Sequence, residues 1–110
     1  DTGWLQMENS GSGTDTRGFF VRQIGNIVSI QGYINTARRD GSNWGGIIAL
    51  IPNKIQPPKY SVRCTAANWN DDHKYNRGST FTIYGGSRKV QLFESGMYNV
   101  DVELNFTYFV

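Results

Sequence analysis

Val100-Asp101-Val102-Glu103-Leu104-Asn105-Phe106-Thr107-Tyr108-Phe109-Val110 is the stretch whose reading decides the fold. Every even-numbered side chain in it is apolar or aromatic, while Asp101, Glu103, Asn105 and Thr107 fill the odd positions until Phe109 breaks the polar set. A helix would scatter the apolar groups around its circumference, whereas a strand gathers them on one face. The same alternation recurs upstream at Trp4 to Glu8, Gly18 to Ile24, Asn26 to Asn35, Gly46 to Ile51, Tyr60 to Ala67, Ser79 to Tyr84 and Arg88 to Phe93. With the final stretch this predicts an all-β chain of about eight short antiparallel strands and no helix.

The connections fit that reading. Gly25-Asn26 leaves room only for a tight hairpin, and Gly85-Gly86-Ser87 joins the next such pair. Pro52, Pro57 and Pro58 make Ile51 to Lys59 an irregular crossover, because proline cannot donate to a ladder. Polar loops are expected over 10–16, 36–45 and 68–78. Such a series of strands folds as a jelly-roll-like barrel or a two-sheet sandwich, with an up-and-down barrel as the alternative. The 110 residues suit one domain spanning 1–110. Hydrophobic residues make up only 38 % of them, so six Phe, six Tyr and three Trp must supply much of the core. A start at Asp1, without Met and close to the first strand, predicts the C-terminal part of a longer chain.

A formal charge of +2 from 11 basic and 9 acidic residues is too small to draw a nucleic acid by charge. No apolar run approaches the ~20 residues of a membrane-spanning helix, so no membrane insertion is expected. Cys64 is the single cysteine; it alternates in phase with apolar neighbours and is expected to be buried and inert. Secreted domains of this size often carry disulfides, so assembly inside a reducing cell is favoured.

The residues favour binding over catalysis, and no cofactor is expected. His73 is the only histidine, and three consecutive residues, Asp71, Asp72 and His73, do not make a zinc set, so no metal is expected. No nucleophile elbow is present, and most acids sit on polar strand faces instead of forming an evident facing pair. The stretch Asn68-Trp69-Asn70-Asp71-Asp72-His73-Lys74-Tyr75-Asn76-Arg77 mixes flat aromatics with amides, carboxylates and cations. That is the chemistry of sugar recognition: the C–H face of a ring lies on an aromatic, and hydroxyls exchange hydrogen bonds with Asp, Asn, His and Arg. The competing reading has Trp69 capping the core and the rest solvated. Tyr84 and Arg88 join the site if the Gly85-Gly86 hairpin projects from the same end. Arg38-Arg39-Asp40-Gly41-Ser42-Asn43-Trp44 has a similar make-up, suited to a phosphate or to plain solvation. Apolar residues opposite the expected core face, namely Phe19, Val21, Ile27, Tyr33, Phe93 and Phe109, predict a homo-oligomer interface or strands lying under crossover loops.

Gly3-Trp4-Leu5 leads to a strand pair, Gly18 to Gly32, that carries Arg22, Gly25, Val28 and Gly32. Then follow Gly46-Ile47-Ile48-Ala49-Leu50-Ile51-Pro52 and Gln56-Pro57-Pro58. This order resembles the C-terminal head domains of bacteriophage tail-tip (baseplate) receptor-binding proteins of the lactococcal siphophage type, over most of residues 3 to 58. The resemblance implies a jelly-roll-like head that forms a homotrimer and binds host cell-wall polysaccharide during adsorption. It also implies a place in the virion, on the tail baseplate, after assembly in the host cytoplasm. By it, Trp69, Asp71, Asp72, His73, Tyr84 and Arg88 bind saccharide, with Tyr84 standing where a tryptophan is missing. Phe19, Phe93 and Phe109 are the expected subunit contacts. The alternative is a structural or protein-interaction β-module of a viral particle without glycan binding.

Overall fold

The computed structural model describes residues 1–9, 16–35, 44–70, 76–94 and 100–110, with the backbone alone at 34–35, 44–46, 66–70, 76–79, 93–94 and 100–102. Alternating residues form β1 (Leu5–Gln6), β2 (Glu8–Asn9), β3 (Phe19–Ile24), β4 (Ile27–Asn35), β5 (Trp44–Leu50), β6 (Val62–Asn70), β7 (Asn76–Ile83), β8 (Lys89–Glu94) and β9 (Val100–Phe109). All pairings are antiparallel, in the order β1-β3-β4-β9-β6-β7-β8-β5-β2. The ladder folds into a sandwich of four strands (β1, β3, β4, β9) over five (β6, β7, β8, β5, β2), with no closed barrel.

Two places join the layers. β9 pairs with β4 from Val100's neighbour Asp101 to Phe109, but with β6 only through Val100, Asp101, Val102 and Glu103, opposite Asn70, Trp69, Asn68 and Ala67. Past Glu103 the two sheets splay apart and enclose the core. On the other side, the expected first strand is split at Met7: Leu5 and Gln6 pair with β3, and Glu8 and Asn9 pair with β5. Met7 crosses between the sheets, 1 % exposed, with its N–H on Phe19 O at 2.8 Å. The chain thus has nine strands among the described residues because one expected strand serves both edges.

Side chains alternate between core and surface, as a strand requires. Phe19, Val21, Val28, Ile30, Leu104 and Tyr108 from one layer meet Ile48, Phe81, Ile83, Val90 and Leu92 from the other. A register shift between Ile47 and Ala49 lets the adjacent Ile48 and Ala49 both point inward. Cys64 is half-buried and packed against this cluster, and burial raises its thiol pKa.

Phe19 and Val21 correct the expected phase of β3. Phe19-Phe20-Val21 is apolar throughout, so alternation alone does not choose a side. Pairing with β4 does: Val21 stands opposite Ile30 and Phe19 opposite Gly32, which places both inside. Phe19, fully buried, is a core residue and not a subunit contact.

The two outer faces differ in character. On the five-stranded sheet, Arg63, Thr65, Thr80 and Lys89 are exposed. On the four-stranded sheet, Phe20, Ile24, Ile27, Tyr33 and Phe109 are exposed, with Trp4 lying 5.9 Å from the Arg22 guanidinium. Only Tyr60 and Tyr84 among the exposed large apolar or aromatic side chains lie elsewhere in the described residues.

One end of the sandwich is closed by short turns. Gly25 takes φ +60 in the β3–β4 hairpin, and Gly86 takes φ +77 in a turn closed by Ser87 N–H on Tyr84 O at 2.9 Å. The proline crossover packs at this end, with Ile51, Pro52, Ile55 and Pro58 buried. The Arg88 guanidinium donates to Pro52 O at 2.7 Å and Ile55 O at 2.5 Å. Buried Gln23 binds Gln56 through its Oε1 (2.9 Å from Gln56 N) and its Nε2 (2.7 Å from Gln56 Oε1). The Tyr108 hydroxyl donates to Gln56 O at 2.7 Å.

Two predictions follow from this pinning. A guanidinium bonded to carbonyls contributes about 1.5–3 kcal/mol, so Arg88→Ala should lower the urea midpoint correspondingly, and Arg88→Lys should not restore it. Burial holds the Tyr108 phenol well above its ordinary range, an effect the nearby Arg88 charge only partly offsets. Above pH 10.0, the ordinary tyrosine value, the unfolded phenol ionises while the folded one stays neutral, so stability falls as pH rises. Melting curves across that range should show a shallower alkaline loss in Tyr108→Phe than in the wild-type chain.

Candidate functional site

Antiparallel pairing decides which connections share an end. The register sets Asn35 beside Asp101, Asp101 beside Trp69, Trp69 beside Asn76, and Trp44 beside Glu94. These strand tips all lie at the end opposite the short turns. They bracket 36–43, 71–75 and 95–99, so the segments richest in Arg, Asp, Asn, His and Tyr are all tethered at this loop end.

The residues expected to bind are divided by the same rule. Trp69 is the penultimate residue of β6, placed by pairs with Asn76 on one side and Asp101 on the other. Strand pairing therefore continues into the stretch 68–78 that was expected to be loop. Asp71, Asp72 and His73 lie outside the described residues, as does the Phe93 side chain, whose backbone belongs to β8. Tyr84 and Arg88 stand at the turn end. They are one length of β7 away, 8 residues or about 25 Å at the usual strand rise. Tyr84 is exposed beside Arg63, 6.0 Å from ring centre to guanidinium, and Arg88 is held by the crossover carbonyls. Within one chain these two do not share a surface with Trp69.

The described side chains add a feature that the sequence did not single out. Near the loop end, on the outer face of the four-stranded sheet, Gly32, Tyr33, Glu103, Leu104 and Asn105 line an open hollow of ≈ 460 Å³. Tyr33 pairs directly with Glu103 across β4 and β9. Its ring lies over one glycine, Gly18, whose backbone a second, Gly32, closely approaches. Tyr33 N–H bonds to Gly18 O at 3.0 Å, and a Cβ on Gly18 would lie 2.5 Å from the ring's Cε1. Gly32, at φ +131, would carry a Cβ 1.9 Å from Gly18 O. The ring therefore passes close over the Gly18 backbone while remaining 54 % exposed. The usable signal was register: Tyr33 and Glu103 are the odd-numbered, outward partners of two strands whose inward phase was already legible.

The described residues thus form an open two-layer sandwich with short turns at one end and the tips of its longer connections at the other. The crystal structure of the head domain of phage bIL170, described among the receptor-binding domains of lactococcal phages, superposes with a TM-score of 0.75. The match covers 100% of this chain and 99% of that one at 11% sequence identity, so the likeness is one of fold. No protein-family model matches the chain, and no curated protein matches it in sequence.

The glycine seat makes a prediction. Gly32→Ala meets backbone from a conformation that only glycine adopts readily, and should cost about 2 kcal/mol or more. Gly18→Ala meets only a ring free to swing outward, and should cost under about 1 kcal/mol. Urea denaturation of the two variants distinguishes them.

Proposed function

We propose that this domain is the receptor-binding head of a phage tail, and that it recognises saccharides of the host cell wall from its loop end, without catalysis. The observation that carries the reading is the sorting of chemistry by topology. The strand tips that flank the aromatic, amide, carboxylate and cationic segments lie at one end of a fold shared with a receptor-binding head, while proline and glycine close the other. Trp69, Asp71, Asp72 and His73 are the candidate ligands of that end. Arg88 and Tyr84 are assigned instead to the crossover and the turn end.

The working form is a homotrimer joined to the rest of the tail baseplate. Its support is the apolar outer face of the four-stranded sheet, where the row Ile24, Ile27 and Phe109 runs across three paired strands. Exposed apolar area concentrated on one face is the usual mark of a covered surface. Several weak sites per particle then capture the host through avidity.

On a panel of purified bacterial cell-wall polysaccharides, the wild-type head should bind at least one. Trp69→Ala and Asp72→Ala should abolish that binding with little change in melting temperature. A head that sizes as a trimer yet binds neither polysaccharide nor host cells would mark a structural module instead. Phe109→Asp places a charge in the apolar row and should shift the sedimenting species from trimer toward monomer. A fully trimeric Phe109→Asp variant would remove Phe109 from the interface.

A further inference from the structure

We infer that the hollow between Tyr33, Glu103 and Asn105 is a saccharide subsite, taking one pyranose unit with its apolar ring face on Tyr33 and its hydroxyls on Glu103 and Asn105. The inference rests on the saccharide-binding reading above, and assigns to it residues on the sheet instead of the loops.

Three features of the hollow point to a ligand. First, the Tyr33 backbone is pinned by the Gly18 carbonyl, and its ring lies close over Gly18, where no side chain intervenes. A half-exposed aromatic ring offers the C–H groups of a sugar an apolar contact surface. Second, no hydrogen bond or ion pair from a described residue occupies the side chains of Tyr33, Glu103 or Asn105. A carboxylate can accept from two neighbouring hydroxyls, and an amide can donate and accept at once. Third, the volume of ≈ 460 Å³ falls within the ordinary range of small-ligand sites, and its open form lets a polymer continue past it.

Position strengthens the assignment. Glu103 is paired with Ala67 on its other side, and Asp101, next along the same strand face, is paired with Trp69. The hollow therefore lies about 7 Å, two residues of strand rise, from the register position of Trp69. A glycan chain lying along β9 would pass the hollow and the register position of Trp69. In the other direction, Ile27 stands about 20 Å down β4 from Tyr33, so the row Ile24, Ile27 and Phe109 lies at the far end of the sheet from the hollow.

The test compares Tyr33→Ala, Glu103→Gln and Gly18→Ala with the wild-type head on the same panel of purified cell-wall polysaccharides, with sedimentation and melting curves for each. Tyr33→Ala and Glu103→Gln should each lose about tenfold or more in affinity while staying as assembled and as stable as wild type. Gly18→Ala, which displaces the ring without removing it, should weaken binding as well. If the wild type binds and Tyr33→Ala and Glu103→Gln bind equally well, the hollow is no subsite, although the head remains a glycan binder. If Tyr33→Ala changes the oligomeric state, Tyr33 belongs to the subunit contact and the inference falls. A wild-type head that binds no polysaccharide overturns both readings.

Discussion

The double pairing of β9 is the constraint on which the rest of the structure depends. A strand bonded to β4 along its whole length must carry one alternating face into the core and the other into solvent. Because the bonds to β6 stop at Glu103, the ladder cannot remain one flat sheet, and its halves close over Leu104 and Tyr108. Slipping β9 by one residue would reverse every side chain: Phe109 and Asn105 would enter the core and Tyr108 would leave Gln56. Layer arrangement, crossover anchoring and the placement of Glu103 beside Tyr33 all follow from one register.

That register also divides the labour between the ends. At the turn end the backbone of the proline crossover would be left with unsatisfied polar groups against an apolar core. Gln23, Arg88 and Tyr108 reach into it and satisfy them. Side chains so engaged are poor ligands for anything else. At the loop end the strand tips flank polar stretches of sequence, and connecting segments in general vary more than the scaffold that carries them. An identity of 11% with a head of the same fold fits such a division.

Much of the fold was legible in the sequence because β9 as far as Thr107 keeps period two and the two glycine turns follow hairpin chemistry. The phase of Phe19-Phe20-Val21 was not, since three apolar residues in a row allow either face and only pairing with β4 decides. The split at Met7 was equally hidden, because a strand that changes sheets keeps its alternation. For the site, the mixed aromatic and polar make-up of 68–77 was readable as a candidate for sugar recognition, whereas the grouping of Tyr84 and Arg88 with it was a topological error. Successive connections in an antiparallel meander must alternate ends, so 71–75 and 84–87 could never meet within one chain. Tyr33 was legible only as part of an apolar second face, because its pairing with Glu103 joins β4 and β9, distant in sequence, and leaves no local mark.

The central claim is that ligand is taken at the loop end of the sandwich. Mapping backbone amide shifts of isotopically labelled head on addition of a bound cell-wall polysaccharide tests it most directly. The account predicts perturbations clustered at Tyr33, Asn35, Trp69, Asn70, Asn76 and Glu103, with Gly25, Gln56 and Ser87 unmoved. Perturbations centred on Gly25, Gln56 and Ser87, with the loop end silent, would contradict it.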